Sequence, residues 1–121
     1  MARKTLGNTL QEENPFQDLI SLITEIGLPF AYDHFAEGES PDPPFLVFLL
    51  PSSNNFSADG IVYLKVSEVH LELYTEKKDP VCEQRVEAVL DQHEIFYEKS
   101  EVWIESEQLY EVLYMFERKG M

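Results

Sequence analysis

The strongest restriction on the fold comes from residues 45–50, FLVFLL, in which six apolar residues follow one another. Such a run offers no polar face to water when it forms a strand, and it is too short for an amphipathic helix. The flanking segments AEGESPDPP and PSSNNFSADG are rich in residues that interrupt regular structure. The sequence therefore predicts a strand buried on both faces between two long, turn-rich loops.

Two segments have the periodicity of amphipathic helices, and each begins with a capping residue followed by proline. Asn14 and Pro15 begin the first segment, which has a left-handed exit at Gly27. Asp79 and Pro80 begin the second. The predicted apolar faces contain Phe16, Leu19, Ile20, Ile23 and Ile26 in the first helix, and Cys82, Val86, Val89, Leu90 and His93, opposite Glu83, Glu87 and Asp91, in the second.

The remaining apolar segments have the composition of β-strands. Residues 30–35 predict a short strand, and residues 61–74 predict one long strand with a kink near Ser67. Apolar and polar residues alternate over 69–74, which is typical of a strand with one face in water. Residues 95–104 fit two short strands or one bent strand. Residues 109–117 fit a helix or a strand, and aromatic and β-branched residues at alternate positions favour the strand.

This order of elements predicts an α+β fold, in which an antiparallel or mixed sheet packs against the two amphipathic helices. The length of 121 residues fits one domain. We assign residues 14–121 to that domain. Residues 1–13 are polar and lack apolar periodicity, so they are interpreted as a flexible N-terminal tail without a function of their own.

The charge distribution excludes one large class of function. Between Lys4 and Lys65 there is no lysine or arginine but there are nine Asp and Glu residues, and the formal net charge of the chain is −14. Nonspecific affinity for nucleic acid arises when Lys and Arg displace counterions from phosphates, so this surface repels DNA. Such a surface can still imitate DNA, or line a passage through which DNA moves without being held.

Two further features bear on location. Cys82 is the only cysteine, which excludes a disulfide within the chain and fits a reducing compartment. No apolar run approaches the roughly 20 residues of a membrane-spanning helix. We therefore expect a cytoplasmic protein with no membrane partner.

Few residues have the spacing of a catalytic or metal site. Cys82 could act as a nucleophile with His93 or His70 as its base, but its place on an apolar helix face favours a small buried side chain. His34, His70 and Glu72 match no zinc or calcium spacing. The five glycines form no phosphate-binding loop, and carboxylate pairs are too frequent to be informative. We predict no catalytic residue, no cofactor and no metal, and hence no enzyme.

The two long loops are the best candidates for contact with a partner, since loops of this length in small domains are often functional. Phe56 is an aromatic residue in a polar segment, where it can enter a partner's pocket or fold back on its own core. The acidic residues Asp33, Glu37, Glu39, Asp42 and Asp59 are expected on loops or on a channel face. The predicted interface residues are Phe56, Asp59, Glu37, Glu39 and Asp42.

Three segments resemble small proteins encoded in the head-to-tail module of tailed phages and prophages of Gram-positive bacteria. They are LPFAYDHFAEGESPDPPFLVFLLPSSNNFSADG, VHLELYTEKKDP and IFYEKSEVWIESEQLYEVLYMFE, which together extend over most of residues 16–117. The phrases AYDHFAEGESPDPPF, NFSADG and ELYTEKKDP carry most of the match. That group is in turn similar to the tail terminators, also called tail-completion or tail-to-head joining proteins, of phages with long non-contractile tails.

The resemblance implies a structural virion protein with an α+β fold and no catalytic residues. It implies a homo-oligomer, a hexameric ring, that caps the tail tube and meets the head connector or stopper protein. DNA would pass through the ring without specific binding. The implied location is the cytoplasm of the bacterial host during assembly and the neck of the virion afterwards.

A protein of a different class is the alternative: an acidic DNA mimic whose carboxylates stand in for phosphates in the cleft of a host DNA-binding protein. Charge alone does not separate the two hypotheses. A mimic needs rows of acids on one outer face, whereas a terminator needs surfaces that match neighbouring copies and the tail-tube protein. A small hydrolase is disfavoured, because the sequence has no nucleophile, base and metal constellation.

Overall fold

The structure, a computed structural model, describes residues 14–121, and these residues form two helices and two β-sheets. In chain order the elements are α1 (Pro15–Thr24), β1 (Phe30–Tyr32), β2 (Phe45–Ser53), β3 (Phe56–Ala58), β4 (Ile61–Leu64), β5 (Val66–Thr75), α2 (Pro80–Gln92), β6 (Glu98–Ile104) and β7 (Leu109–Lys119). The prediction of a flexible tail over residues 1–13 lies outside the described residues.

The main sheet has five strands in the order β1-β2-β5-β7-β6, and β3 pairs with β4 in a separate hairpin. All neighbours in the main sheet are antiparallel except β1 and β2, which run parallel. The fold is therefore α+β with a mixed sheet, as the sequence predicted.

Both helices pack on the same face of the main sheet. Side chains alternate between the two faces of a strand, so every second residue of each central strand can join a core with the helices. This core contains Leu19, Leu22, Ile23 and Ile26 near α1, Cys82, Val86, Val89 and Leu90 of α2, and Leu46, Phe48, Val69, Leu71, Leu73, Val112, Tyr114 and Phe116 of the sheet. No helix among residues 14–121 covers the opposite face, which we call the open face.

The FLVFLL segment forms the first part of β2. Residues 45–48 are buried on both faces, as predicted, whereas Leu49 and Leu50, which were also expected to be buried, are only half-buried. Leu46 and Phe48 point toward the helices. Phe45 lies on the open face, where the ring centroids of Phe35 and Tyr74 are 5.4 and 5.2 Å from its own. Aromatic packing thus takes the place of a helix on that side of β2.

Side chains cap the N-termini of both helices at the predicted residues. Asn14 Oδ1 accepts hydrogen bonds from the backbone N–H groups of Phe16 and Gln17, at 3.1 and 3.2 Å. Asp79 Oδ1 accepts one from the N–H of Cys82 at 3.1 Å. Each cap satisfies donors that have no partner within the helix, which fixes where the helix begins.

The chain leaves α1 through Gly27, whose φ of 84° is the predicted left-handed exit. Arg85 of α2 holds this exit, because its guanidinium donates to the carbonyl groups of Ile26 and Gly27 at 2.8 and 3.0 Å. A Cβ at Gly27 would lie 2.7 Å from Arg85 Nη2, so a larger residue would displace the end of this side chain, while the positive φ itself requires glycine.

The prediction of a long loop over PSSNNFSADG is wrong. β2 continues to Ser53, and β3 pairs with β4 across a turn at Asp59 and Gly60. Both turn residues have positive φ, 55° and 76°, which matches a type I′ turn and the twist of a hairpin. The polar composition suggested a loop, whereas the Asp-Gly pair followed by IVYL is a hairpin signal.

Three strand boundaries also differ from the prediction. The long strand expected over 61–74 is divided at Lys65 between the hairpin and the main sheet, and not near Ser67. Residues 95–97 are irregular, so β6 begins only at Glu98. The strand predicted over residues 30–35 is shorter, because β1 ends at Tyr32. The strand preferred over residues 109–117 is confirmed as β7.

Candidate functional site

The β3–β4 hairpin exposes apolar side chains on both of its sides. Ile61 and Tyr63 share one side, because residues two apart on a strand point the same way, and they are 71% and 78% exposed. Val62 and Phe56 are about half exposed, and Phe56 pairs with Leu64 across the hairpin. A two-stranded ribbon of this kind is marginally stable alone, so its unpaired apolar side is a candidate contact surface.

A groove of about 720 Å³ lies beside the hairpin, at the end of the sheet where β5 starts and β7 finishes. Its apolar lining is formed by Phe56, Val66, Ile95, Phe96, Met115 and Phe116. Phe96 is 82% exposed, although it is a large aromatic residue. The groove therefore combines apolar walls with open access from solvent, which is typical of a binding site.

The polar lining of the groove is mostly acidic. Four glutamates, Glu68, Glu94, Glu98 and Glu117, line it together with His93, Arg118 and Lys119. Some of these carboxylates already have partners, since Glu117 accepts from Asn54 Nδ2 at 3.0 Å. The excess of acid gives the groove a negative potential.

The predicted interface residues fall into two groups. Glu37, Glu39 and Asp42 lie on the connection between β1 and β2 and are exposed, as is Asp33 at its start. Phe56 and Asp59 belong to the hairpin, at its base and its turn. No hydrogen bond or ion pair within residues 14–121 joins the two groups, so the structure does not unite them in one cluster.

The open face carries a carboxylate pair that the sequence did not single out. The Tyr74 hydroxyl lies 2.8 Å from Glu72 Oε1 and 3.1 Å from Glu111 Oε2, so one proton is shared between two acceptors. Burial, followed by the negative charge of Glu111, raises the pKa of Glu72, although the hydrogen bond from Tyr74 partly opposes this. Burial and the two carboxylates raise the pKa of Tyr74 as well.

Glu83 is buried, with 4% of its surface exposed, whereas helical periodicity placed it on the solvent side of α2. Lys78 Nζ and Lys99 Nζ lie 2.7 and 2.9 Å from its two oxygens. Burial pushes the pKa of Glu83 upward, but hydrogen bonds from the two lysines outweigh burial and lower it. The prediction failed because the lysines come from outside α2, one of them from β6.

The same network reaches the core through Glu87. Lys99 Nζ is 2.6 Å from Glu87 Oε2, which also accepts a 2.8 Å hydrogen bond from the buried Tyr114 hydroxyl. The carboxylates of Glu83 and Glu87 thus form ion pairs with lysines, and the Tyr114 hydroxyl donates to Glu87. We interpret these charges as a link between α2 and the sheet.

The candidate nucleophile and bases do not meet. Cys82 is buried, and burial, followed by the charge of Asp79, raises the pKa of its thiol, which disfavours the reactive thiolate. His93 is exposed, contrary to its predicted place on the apolar face, and lies 3.0 Å from Glu25 Oε1. No hydrogen bond in the described part of the chain joins Cys82 to His93 or His70.

Within residues 14–121, no three His, Cys, Asp or Glu side chains are grouped so that they could hold a metal ion. His34 is highly exposed beside Asp33, while His70 and Glu72 lie on the open face.

Neither helix of the described residues is long and apolar enough to cross a membrane. Compared with known proteins, the chain matches no family model and no curated protein.

Sequence reasoning singled out Phe56 and Asp59 but missed Ile61 of the hairpin and Phe96 of the groove, which are 71% and 82% exposed. A usable signal was present in IVYL, where no residue is polar although the strand follows an Asp-Gly turn. The exposure of Phe96 has no local signal, because it depends on where the chain passes from α2 to β6.

Proposed function

We propose that this protein is a structural subunit of the phage neck, which ends polymerisation of the tail tube and joins the tail to the head. The exposed apolar side of the β3–β4 hairpin supports this proposal best. A folded domain gains nothing from leaving Ile61 and Tyr63 in water, whereas a subunit that assembles can bury them against a neighbour.

The proposed mechanism is geometric. In a ring, each subunit presents one surface to the next copy and a different surface to the previous copy, and the contacts close on themselves. The hairpin would provide the first surface, and the outer edges of β1 and β6, with which no strand among residues 14–121 pairs, would provide the second. One side of the closed ring would match the last tube subunits and block further growth, while the other would receive the head connector.

The connection between β1 and β2, residues 33–44, is exposed and acidic, and we call it the acidic loop. Its charge suits a passage for DNA. Glu37, Glu39 and Asp42 are exposed on the β1–β2 connection, in a chain of net charge −14. Carboxylates facing the channel would repel phosphates, so DNA would pass without being held. In this proposal the protein needs no cofactor, acts in the host cytoplasm during assembly and remains in the virion neck.

The proposal is tested by electron microscopy of phage tails made with the wild-type gene, without it, and with the double substitution Ile61→Ser and Tyr63→Ser. Tails of irregular, excessive length that do not join heads are expected in the second and third cases. Val81→Ser is the matched control, because Val81 is equally exposed at the start of α2 but distant in sequence from the hairpin. Tails of normal length in the absence of the gene would contradict the proposal.

A second candidate function is supported by the same acidic loop. Exposed carboxylates at residues 37, 39 and 42 are spaced along one connection, and could stand in for phosphates in the cleft of a DNA-binding protein. Such an inhibitor would work as a monomer or dimer and would have no use for the apolar hairpin. Its binding to a basic cleft is expected to weaken with added salt, whereas assembly of a ring through the apolar hairpin is expected to strengthen.

A further inference from the structure

The edge of β7 that faces β6 is paired only as far as Met115. β6 pairs with β7 from Leu109 to Met115, where Glu98 is its first residue. β7 itself continues to Lys119 and is paired with β5 on its other side along this whole stretch. Within residues 14–121, no strand pairs with the β6 side of residues 116–119, and no backbone hydrogen bond crosses from them to residues 93–98.

The groove occupies the position that this missing strand segment would fill. Residues 116–119 of β7 form one wall, residues 93–96 with Glu98 form the other, and Phe56 lies at the hairpin side. Alternate residues of an edge strand direct N–H and C=O groups outward, so the groove has hydrogen-bonding groups as well as apolar walls. An extended chain can use both, by adding a strand to the sheet.

The register of the sheet predicts which side chains such a segment would carry. Opposite Phe116 it would face the helix side, where Ile95 lies partly buried against the core. Opposite Glu117 it would face the other side, where Glu68 is the cross-strand partner of Glu117 and Glu98 begins β6. The first environment favours an apolar side chain and the second a cation, and the two alternate along a strand.

We propose that this groove binds an extended segment of a partner protein with alternating basic and apolar side chains. The bound segment would pair with residues 116–119 of β7, in line with β6. Charge complementarity favours a basic partner over a second copy of this acidic chain, because four glutamates outnumber Arg118 and Lys119 in the groove lining and the chain carries −14. This inference depends on the groove alone and holds whether or not the protein forms a ring.

The test uses the full chain and a short synthetic peptide of alternating lysine and valine. Two-dimensional NMR of the labelled protein is expected to show shifts of the amide signals of residues 93–98 and 116–119 when the peptide is added. The matching peptide of glutamate and valine should cause none. A third peptide, N-methylated at alternate residues to remove the edge-facing donors, should bind about tenfold more weakly, because strand addition requires backbone hydrogen bonds.

Variants of the protein separate the groove from the general negative field. Glu98→Lys combined with Glu117→Lys should weaken binding of the lysine–valine peptide about tenfold or more. Glu37→Lys combined with Glu39→Lys changes the net charge equally but lies on the acidic loop, and should weaken it less than about threefold. Thermal unfolding of each variant checks that the fold is retained.

Several results would overturn the proposal. Equal weakening by both double variants would mean that the peptide responds only to overall charge, and an unchanged affinity of the N-methylated peptide would exclude strand addition. Binding that is seen only after Arg3→Ser and Lys4→Ser would identify residues 1–13 of this chain as the occupant. Amide shifts that depend on protein concentration without peptide would identify a second copy instead.

Discussion

At the scale of single residues, Glu83 shows how a buried charge can support this fold. It is enclosed between Lys78 and Lys99, whose ammonium groups lie within 2.9 Å of its oxygens. Glu83→Gln should lower the free energy of unfolding by about 2 kcal/mol, less than for a fully buried pair because both lysines can turn toward water. Urea unfolding at neutral pH measures this, and Glu101→Gln, an exposed partner of Lys78, should cost at most about 1 kcal/mol.

The pH dependence of that loss follows from the direction of the shift. Because the folded pKa of Glu83 is lowered, its contribution is complete above the ordinary glutamate value of 4.5 and disappears as the pH falls through the lowered folded pKa. The stabilities of wild type and Glu83→Gln should therefore converge in acid. A difference that persists unchanged at low pH would contradict the assignment of the ion pair as its cause.

Glu72 is the opposite case. Its folded pKa is raised by burial and by Glu111, so its ionised form opposes folding above that pKa and the penalty is removed as the pH falls through it. Glu72→Gln should raise the midpoint of thermal unfolding by about 2–4 °C at neutral pH, a rise that shrinks toward pH 4.5. The exposed Glu76 provides the control, since Glu76→Gln should leave the midpoint nearly unchanged.

At the scale of elements, the β3–β4 hairpin depends on its turn. Gly60 has a φ of 76°, and no atom lies within 4 Å of the position that a Cβ would occupy. Gly60→Ala therefore strains the backbone without a clash, at a cost of about 1 kcal/mol. Amide exchange over Phe56–Ala58 and Ile61–Leu64 should accelerate about fivefold while exchange in β5 and β7 stays unchanged. Gly38→Ala is matched in φ and open surroundings, and it should not affect the hairpin. Accelerated exchange in β5 would show that the hairpin is not an independent unit.

The elements that were predicted correctly are those whose signals are local. Asn14 and Asp79 cap their helices, and the alternation over 69–74 appears as one buried and one half-buried face of β5. The hairpin was not predicted because the polar composition of residues 51–60 outweighed the local Asp-Gly signal, and the groove was not predicted because it depends on the path of residues 93–98. Of the candidate site, the sequence therefore indicated Phe56 and the exposed acids but not the surface to which Phe56 belongs.

At the scale of the whole molecule, the net charge of −14 and the apolar hairpin predict a response to salt that separates the two candidate functions. Copies of this chain repel each other over a Debye length of about 10 Å at about 0.1 M salt, which falls to about 3 Å at about 1 M, whereas burial of Ile61 and Tyr63 is not screened. Self-association measured by sedimentation velocity should therefore increase from low to high sodium chloride. Binding of a DNA mimic to a basic cleft should weaken over the same range, because its attraction is electrostatic.

The double substitution Ile61→Ser and Tyr63→Ser provides the control for this experiment, since it leaves the charge unchanged and removes the apolar contact. It should abolish association at both salt concentrations while the thermal midpoint stays within a few degrees, because both side chains are exposed in the single subunit. Association that weakens with added salt, or that survives in the variant, would mean that carboxylates and not the hairpin make the contact. The ring would then lose its main physical support, and the acidic inhibitor would become the better account of this surface.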